Sequence, residues 1–463
     1  MPREADQDQL LNDDHLGQTA AAPNLDARKP PSSGLLAGSI ANFGVQYNFT
    51  NTAIALLFLS EAHNGKGQWF TDDLWEGRAS AILKSAAFVG SMIGMVIMGY
   101  LGDVIGRDPA FAVTSAIMVV FSIASGLAPH GSPNLAMVIL LVCRFFLGVG
   151  IGGCYPLAAS KGSEGCGSDS AVDKNQAVGV IFFWQCVGDL APYIVGMALS
   201  FLPGAKMQFR LTLILGFLPP LAVFYLIQTH THPRPARAKS YAPAGESGEA
   251  GEVTSVVAPG VGSIAGVGAR ASDSAIAASP AEGARKGLSS RPFVEQLRSG
   301  MRLPHAWEDL LATAVCWFFY DVAYYGSNQF TPALTRKVFG SDSDVFSDSW
   351  HGAVDMAVGL PATLHSIAAL RFWGTKKVQT YGHASIAAAS VLVAVAWAPL
   401  TAHGGGGGRA ELLFAIYLVF YFAVNWGAKM GAFVLPQEVT LLSGPLSRRR
   451  RRRRRRCCCC CCF

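Results

Sequence analysis

A carboxylate stands in the middle of the aromatic run WFFYDVAYYGSNQF, residues 317–330. An unpaired carboxylate is costly in an apolar medium, so a chain that keeps Asp321 there must neutralise it, pair it or use it. At about 100° per residue of an α-helix, Trp317, Asp321, Tyr324, Tyr325 and Asn328 share one face. Because such a polar stripe makes a poor lipid-facing surface, we expect it to point into a bundle and offer hydrogen-bond donors to an oxyanion.

An anion beside Asp321 would couple its own binding to that of a proton. Two like charges about 4 Å apart repel by roughly 4 kcal/mol when the effective dielectric constant is about 20. Anion binding would therefore favour a protonated Asp321, which donates a hydrogen bond instead of repelling. The two ligands would then bind cooperatively, which is the chemical basis of co-transport. The alternative is that Asp321 pairs with a basic group purely for packing.

The composition indicates a membrane as the medium. Of the 463 residues, 51% are hydrophobic and 15% are charged, whereas soluble domains carry about 25% charged residues. The net charge is +6, but the nine arginines of residues 448–456 supply more than that, leaving 6 − 9 = −3 for the rest of the chain. This balance does not predict a nucleic-acid partner.

Cysteine usage gives no sign of a metal site or of a disulfide framework. Six of the 11 cysteines form the run of residues 457–462. The others lie mostly within apolar stretches and show neither CxxC nor metal-ligand spacing. We therefore expect no metal and no cofactor.

Windows of about 19 residues find apolar spans long enough to cross a bilayer. Their hydrophobicity runs all round the helix, as expected where each backbone polar group must be satisfied within its own segment. The sequence predicts an all-α, polytopic membrane helix bundle with ten visible spans, near residues 35–59, 80–101, 110–128, 135–159, 176–201, 209–229, 308–330, 350–370, 383–400 and 409–435.

A stretch rich in Gly, Ala, Ser and Pro separates the six earlier spans from the four later ones. It cannot bury enough apolar surface to fold, and it predicts a flexible linker. We therefore divide the chain into an N-terminal tail (1–34), an N-terminal six-helix half (35–229), a linker (230–307), an incomplete four-helix half (308–440) and an aberrant tail (441–463).

Lysine and arginine predict the orientation of the bundle. They fall on alternate loops, which the positive-inside rule places in the cytoplasm with the linker and the N-terminus. The polar N-terminal tail has no signal-peptide pattern, so the first span should be an uncleaved anchor. We expect a multi-pass protein of the plasma membrane.

The loop after the second span reads GYLGDVIGRDPAF, residues 99–111. It resembles the Gly-Asp-x-x-Gly-Arg signature of the major facilitator superfamily, whose members have twelve spans. A tight glycine turn would bring Asp103 and Arg107 to the mouth of the bundle, where ion pairs can latch the inward gate. The alternative is an ordinary charged turn.

Three further stretches resemble the phosphate:proton symporters of that superfamily. They are RFFLGVGIGGCYPLAASKGSE (144–164), the WFFYDVAYYGSNQF run, and NWGAKMGAFVLPQEV (425–439). The resemblance implies a bundle of the major facilitator type. The substrate-contacting residues it implies, or that stand in its motifs, are Tyr155, Gln185, Trp317, Asp321, Tyr325, Asn425 and Lys429.

The chain departs from this family at several ionisable positions. Cys154 stands where the family has an aspartate, and the first span carries Asn48 and Asn51 in place of an acidic pattern. Asp189 is a carboxylate the family does not usually show; we expect it to share proton coupling with Asp321, unless it merely satisfies the helix near a proline. Lys429 replaces an asparagine and would supply positive charge to phosphate or pair with Asp321.

Gating residues are implied at the span ends. We expect Arg144 to begin the fourth span, where the superfamily commonly has an arginine tied to gating, although a snorkelling arginine explains it comparably. Glu164 and Glu438 resemble acidic span ends that pair with gate arginines. With Asp103 and Arg107 they complete the predicted gate.

The Arg/Cys tail begins about where two further spans would follow in this family. It is typical of a shifted reading frame or a simple repeat, so we expect a C-terminally truncated or misread chain. A polybasic segment with palmitoylated cysteines is the alternative.

The resemblance implies a secondary transporter that carries inorganic phosphate with protons by alternating access. Such a protein performs no covalent chemistry, so we do not expect an enzyme. Its partners would be phosphate, protons and the lipid bilayer. The alternatives are another anion or sugar carrier of the same superfamily and a phosphate sensor that does not transport.

Overall fold

The computed structural model describes residues 33–64, 78–127, 133–165, 170–231, 306–339, 344–401 and 408–443. Within these ranges every regular element is a helix, which confirms the predicted all-α bundle. The predicted linker and most of both predicted tails lie outside the described residues.

Six helical segments form the N-terminal half. They are α1 (Ser33–Asn64), α2 (Arg78–Val104), α3 (Arg107–Leu127), α4 (Pro133–Gly165), α5 (Ala171–Leu199) and a final segment, α6 (Ala205–Ile214) continued by a 3₁₀ turn (Leu215–Phe217) and α7 (Leu218–Thr231). Pro219 and Pro220 lie in the first turn of α7, where proline is tolerated because the helix start leaves backbone N–H groups without partners.

The second group of helices begins at Ala306. Its helices are α8 (Ala306–Phe339), α9 (Val345–Trp373), α10 (Thr375–Thr401), α11 (Gly408–Asn425) and α12 (Ala428–Ser443). The predicted span 409–435 is therefore two helices. The reason is Gly427, which has a positive φ of 69° and whose added Cβ would lie 2.8 Å from the Cα of Gly382. Only glycine combines that backbone angle with such close approach.

Eight of the described segments qualify as membrane spans by length and hydropathy, against the ten predicted. The two that do not are α1 and α8, which carry many polar side chains. On α1 these side chains are buried; they include Asn42, Gln46, Asn48 and Asn51. Polar side chains that face the interior lower the mean hydropathy of a helix without facing lipid. Low hydropathy therefore does not exclude α1 and α8 from the bundle.

Glycine allows α2 and α4 to touch backbone to backbone. A Cβ on Gly148 would lie 2.1 Å from the Ala87 carbonyl oxygen, and one on Gly152 would lie 2.0 Å from that of Ser91. The glycines of RFFLGVGIGG therefore serve close packing, as small residues commonly do between membrane helices.

The two halves meet along α5 and α9. The ring of Tyr193 lies against Gly352, where an added Cβ would be 2.1 Å from Cε1. Helices α1 and α8 also meet across this boundary, where the Nε2 of Gln329 donates to the carbonyl oxygen of Phe49 at 3.2 Å. The polar residues described next lie at this boundary between halves.

Candidate functional site: a buried polar network between the halves

Asp189 connects the two halves through its carboxylate. The residue lies on α5 and is 1% exposed. Its Oδ1 accepts hydrogen bonds from Thr50 Oγ1 at 2.9 Å and from Asn328 Nδ2 at 2.8 Å, and its Oδ2 accepts one from the Tyr324 hydroxyl. Thr50 belongs to the N-terminal half, whereas Tyr324 and Asn328 belong to α8. A carboxylate held by neutral donors in this way keeps its charge or takes up a proton without losing its packing partners.

Lys429 is a fully buried ammonium in the first turn of α12, directly after the break between α11 and α12. Its Nζ donates to the Tyr324 hydroxyl, to Asn425 Oδ1 and to Cys186 Sγ, each at 3.1 Å. The same Nζ lies 4.4 Å from the centre of the Tyr324 ring. Among the described residues no carboxylate lies within 4.0 Å of it, so the predicted pairing of Lys429 with Asp321 is not a direct contact.

Asp321 lies on α8, half-buried, and its Oδ1 has no hydrogen-bond partner in the described part of the chain. Trp317 lies one turn before it and packs edge-on against Phe433 with ring centres 5.0 Å apart. Tyr325 lies one turn after it. The stripe predicted from helical spacing therefore splits, with Tyr324 and Asn328 turned to Asp189 while Asp321 offers a free acceptor oxygen.

Tyr155 and Tyr325 meet across the two halves, with their hydroxyl oxygens 2.7 Å apart. The Tyr325 ring is held edge-on between Phe49 and Phe88, at 5.4 and 4.8 Å. Two phenols that share one hydrogen bond leave a donor free for a third group. The structure thus brings these two sequence-predicted residues together.

Phe433 of α12 packs on aromatic rings from both halves. Its ring stacks on Phe182 at 3.7 Å and lies 5.9 Å from that of Tyr155. Nothing in the sequence distinguished Phe433 from an ordinary core aromatic, so the sequence analysis did not select it.

Gln185 and Asn425 are buried, but on different sides of the network. Gln185 donates from Nε2 to Asn42 Oδ1 of α1 at 3.3 Å, within its own half. Asn425 accepts from Lys429 and donates to the carbonyl oxygen of Tyr421 at 3.1 Å. Cys154, at a position where the resemblance would place an aspartate, lies with its sulfur 3.5 Å from that of Met118.

The predicted gate is only partly described. Asp103 and Arg107 flank the turn between α2 and α3, where Gly106 has a φ of 97°. The ion pair seen there joins Lys161 of α4 to Asp108 of α3. The side chains of Glu164 and Glu438 lie outside the described residues.

The expectation that Arg144 begins the fourth span is wrong, whereas its role in the gate stays a prediction. Helix α4 begins at Pro133, so Arg144 lies well inside it, and the side chain is 0% exposed rather than snorkelling to a helix end. Its Nη1 donates to the carbonyl oxygen of Asn48 and to Asn51 Oδ1, both at 3.1 Å. These two acceptors on α1 hold the guanidinium inside the bundle rather than at a helix end.

Asp355 is a buried carboxylate that the sequence analysis missed. It lies on α9, and its Oδ2 accepts from Thr331 Oγ1 at 3.1 Å. Thr331 Oγ1 is in turn 3.2 Å from the hydroxyl of Tyr417. A carboxylate inside the apolar stretch WHGAVDMAVGL is the same signal that selected Asp321 and would have found it.

The chain is similar to known membrane transporters. Residues 39–231 match the family model described as "Sugar (and other) transporter". The chain is 29% identical over 411 residues to "Inorganic phosphate transporter PT2" of Toxoplasma gondii, covering 88% of this chain and 61% of that protein. It is 26% identical over 388 residues to "Probable inorganic phosphate transporter 1-6" of Arabidopsis thaliana, covering 78% and 70% respectively. The chain thus spans under two thirds of the Toxoplasma relative's length.

Solved structures share the fold. A partially occluded inward open structure of the xylose transporter XylE from E. coli superposes with a TM-score of 0.55 at 13% identity, covering 89% of this chain and 88% of that one. A D-xylose-proton symporter gives a TM-score of 0.56 at 14% identity, covering 89% and 87%. The two sequence relatives named here are inorganic phosphate transporters, and the chain shares the fold of the two solved transporter structures.

Proposed function

We propose that this chain carries inorganic phosphate across a membrane together with protons, by alternating access of its two halves. The observation that carries the proposal is Lys429, a buried ammonium with no carboxylate within 4.0 Å among the described residues, at the boundary between halves. A buried charge that lacks a direct counter-charge is costly, and the Asp189 carboxylate reaches this ammonium only through the Tyr324 hydroxyl. A phosphate oxyanion would supply a direct counter-charge.

The groups near Lys429 are suited to an oxyanion. Its ammonium donates hydrogen bonds to Asn425 and Tyr324. The hydroxyl groups of Tyr155 and Tyr325 are hydrogen-bonded to each other. We assign Trp317 and Gln185 to the same site from the resemblance. Phenol, amide and indole donors fix an anion's orientation, while the ammonium provides charge.

Two carboxylates are candidates for the proton. The Oδ1 of Asp321 has no partner, so a proton there would find an acceptor on a phosphate oxygen. Asp189 is linked to Lys429 through the Tyr324 hydroxyl, so protonation of Asp189 would leave the ammonium's charge available to the anion. Both effects make phosphate and proton cooperative ligands.

Alternating access would break and remake the polar contacts that cross the halves. Besides Asp189 with Tyr324, these include Lys84 Nζ to the Gln329 carbonyl oxygen at 2.8 Å and Asn175 Nδ2 to Thr375 Oγ1 at 3.3 Å. The Lys84 contact lies in the last third of α8, and the Asn175 contact lies near the beginning of α5. From the sequence motifs alone, we propose that Asp103, Arg107, Glu164 and Glu438 form the gate. From the distribution of lysine and arginine, we propose a plasma-membrane location with a cytoplasmic N-terminus.

Phosphate binding to purified protein tests the site before any transport is measured. Lys429→Gln should weaken binding by roughly 10- to 100-fold, since hydrogen bonds to charged groups contribute about 1.5–3 kcal/mol. Lys376→Gln removes an exposed lysine at the start of α10 and should leave the affinity unchanged. Equal affinities for both variants would refute the site, and binding without uptake would identify a sensor.

A further inference from the structure

Arg144 is a second buried cation, deep in the N-terminal half. It extends from α4 towards α1, where Asn48 and Asn51 accept from its Nη1. Thr50, which lies between these two asparagines in sequence, turns the other way, towards Asp189. The surroundings of Arg144 are therefore on a different side of α1 from the network between the halves.

No acidic side chain neutralises Arg144. In the parts of the chain that the structure describes, no carboxylate lies within 4.0 Å of its guanidinium. Its acceptors on α1 are a backbone carbonyl and a neutral amide. Hydrogen bonds to neutral groups satisfy individual N–H donors, but they leave a full positive charge in a low-dielectric interior.

Several donors around Arg144 have no acceptor. Its Nε and Nη2 lack hydrogen-bond partners among the described residues, and so does the hydroxyl of Tyr47, which is 4% exposed. Tyr47 immediately precedes Asn48, whose carbonyl oxygen accepts from the guanidinium. A buried cation, with free guanidinium and phenol donors and no acid, is the chemistry of an anion site.

We propose that Arg144 and Tyr47 hold a small monovalent inorganic anion, of the size and charge of chloride, as the counter-charge of the N-terminal half. One negative charge balances the one cation present, whereas a phosphate dianion would leave a surplus charge. Water would satisfy the donors without neutralising the guanidinium. The anion would tie α4 to α1, the role that an aspartate or glutamate on α1 would otherwise fill.

Thermal unfolding of the purified protein, without phosphate, tests this proposal apart from transport. The midpoint should rise saturably when sodium gluconate is replaced by sodium chloride at constant ionic strength, because a ligand that binds only the folded state stabilises it. Asn51→Asp places a carboxylate where Oδ1 already lies 3.1 Å from Nη1. This variant should have lost the chloride dependence.

Two further variants keep the test decisive. Asn175→Asp makes the same change of amide to acid far from Arg144 and should retain the chloride dependence. Tyr47→Phe removes one donor and should weaken equilibrium binding of radioactive chloride several-fold. Identical unfolding of the unmodified protein in chloride and gluconate, or an Asn51→Asp protein as chloride-dependent as Asn175→Asp, would overturn the proposal.

Discussion

Asp189 in the N-terminal half and Lys429 in the C-terminal half are joined through one hydroxyl group, that of Tyr324. The hydroxyl donates to Asp189 Oδ2 and accepts from Lys429 Nζ at 3.1 Å. A carboxylate, a phenol and an ammonium in series form a link whose charge changes when a proton or an anion binds. On our account this link couples the two ligands to the relative position of the halves.

Tyr324→Phe should break this link with little change in packing. The variant keeps a ring that stacks on Tyr320 with centres 5.4 Å apart but removes both hydrogen bonds. We expect the phosphate affinity of the purified protein to fall by about tenfold or more, because the hydroxyl that positions the Lys429 ammonium for the anion is lost.

Tyr320→Phe is the matched control for that experiment. Tyr320 is equally buried, but its hydroxyl has no partner among the described residues. Its removal should leave phosphate affinity unchanged and stability equal or higher. Comparable losses in the two variants would mean that the hydroxyl of Tyr324 has no special role.

The sequence alone predicts much of this arrangement. Helical periodicity placed Tyr324 and Asn328 on one inward face, where both contact Asp189, and all-round hydrophobicity identified the bundle. The bond from Tyr324 to Asp189 could not be predicted, because the two residues are 135 positions apart and meet only when the halves dock. The depth of Arg144 was missed because its acceptors, Asn48 and Asn51, lie on another helix, 96 and 93 positions away.

Asp189→Asn should remove the negative charge while keeping the side-chain shape. In the unmodified protein the Asp189 carboxylate, linked to Lys429 through the Tyr324 hydroxyl, competes with phosphate for the positive charge of Lys429. Without that carboxylate, phosphate should bind at least as tightly at neutral pH as in the unmodified protein. Phosphate uptake should become less dependent on external pH. Asp173→Asn, at an exposed position, is the control and should behave like the unmodified protein. A retained pH profile in Asp189→Asn would exclude it from proton coupling.

Gly152→Ala should destabilise the N-terminal half. The new methyl group would lie 2.0 Å from the Ser91 carbonyl oxygen, and overpacking of this kind costs about 1–3 kcal/mol. Gly326→Ala is the comparison, because a Cβ there has no heavy atom within 4 Å. Thermal unfolding should show a lower midpoint for the first variant and an equal or higher one for the second. A normal midpoint for Gly152→Ala would contradict the α2–α4 contact.

A disulfide between residues 175 and 375 should stop alternating access. These side chains hydrogen-bond across the halves at 3.3 Å, between the beginnings of α5 and α10. The Asn175→Cys, Thr375→Cys double variant should lose phosphate uptake on oxidation and regain it on reduction, whereas either single variant should be insensitive. Unchanged uptake by the cross-linked protein would show that this end of the bundle does not open.

Uptake of labelled phosphate into proteoliposomes, at acidic and neutral external pH, tests the central claim most directly. The unmodified chain and Asp321→Asn are compared, with folding of both verified by thermal unfolding. Our account predicts uptake that rises in acid for the unmodified chain and is lost in Asp321→Asn, because the free Oδ1 can then no longer carry the coupled proton. Uptake that is independent of external pH, or unchanged by Asp321→Asn, would contradict proton-coupled phosphate transport through this residue.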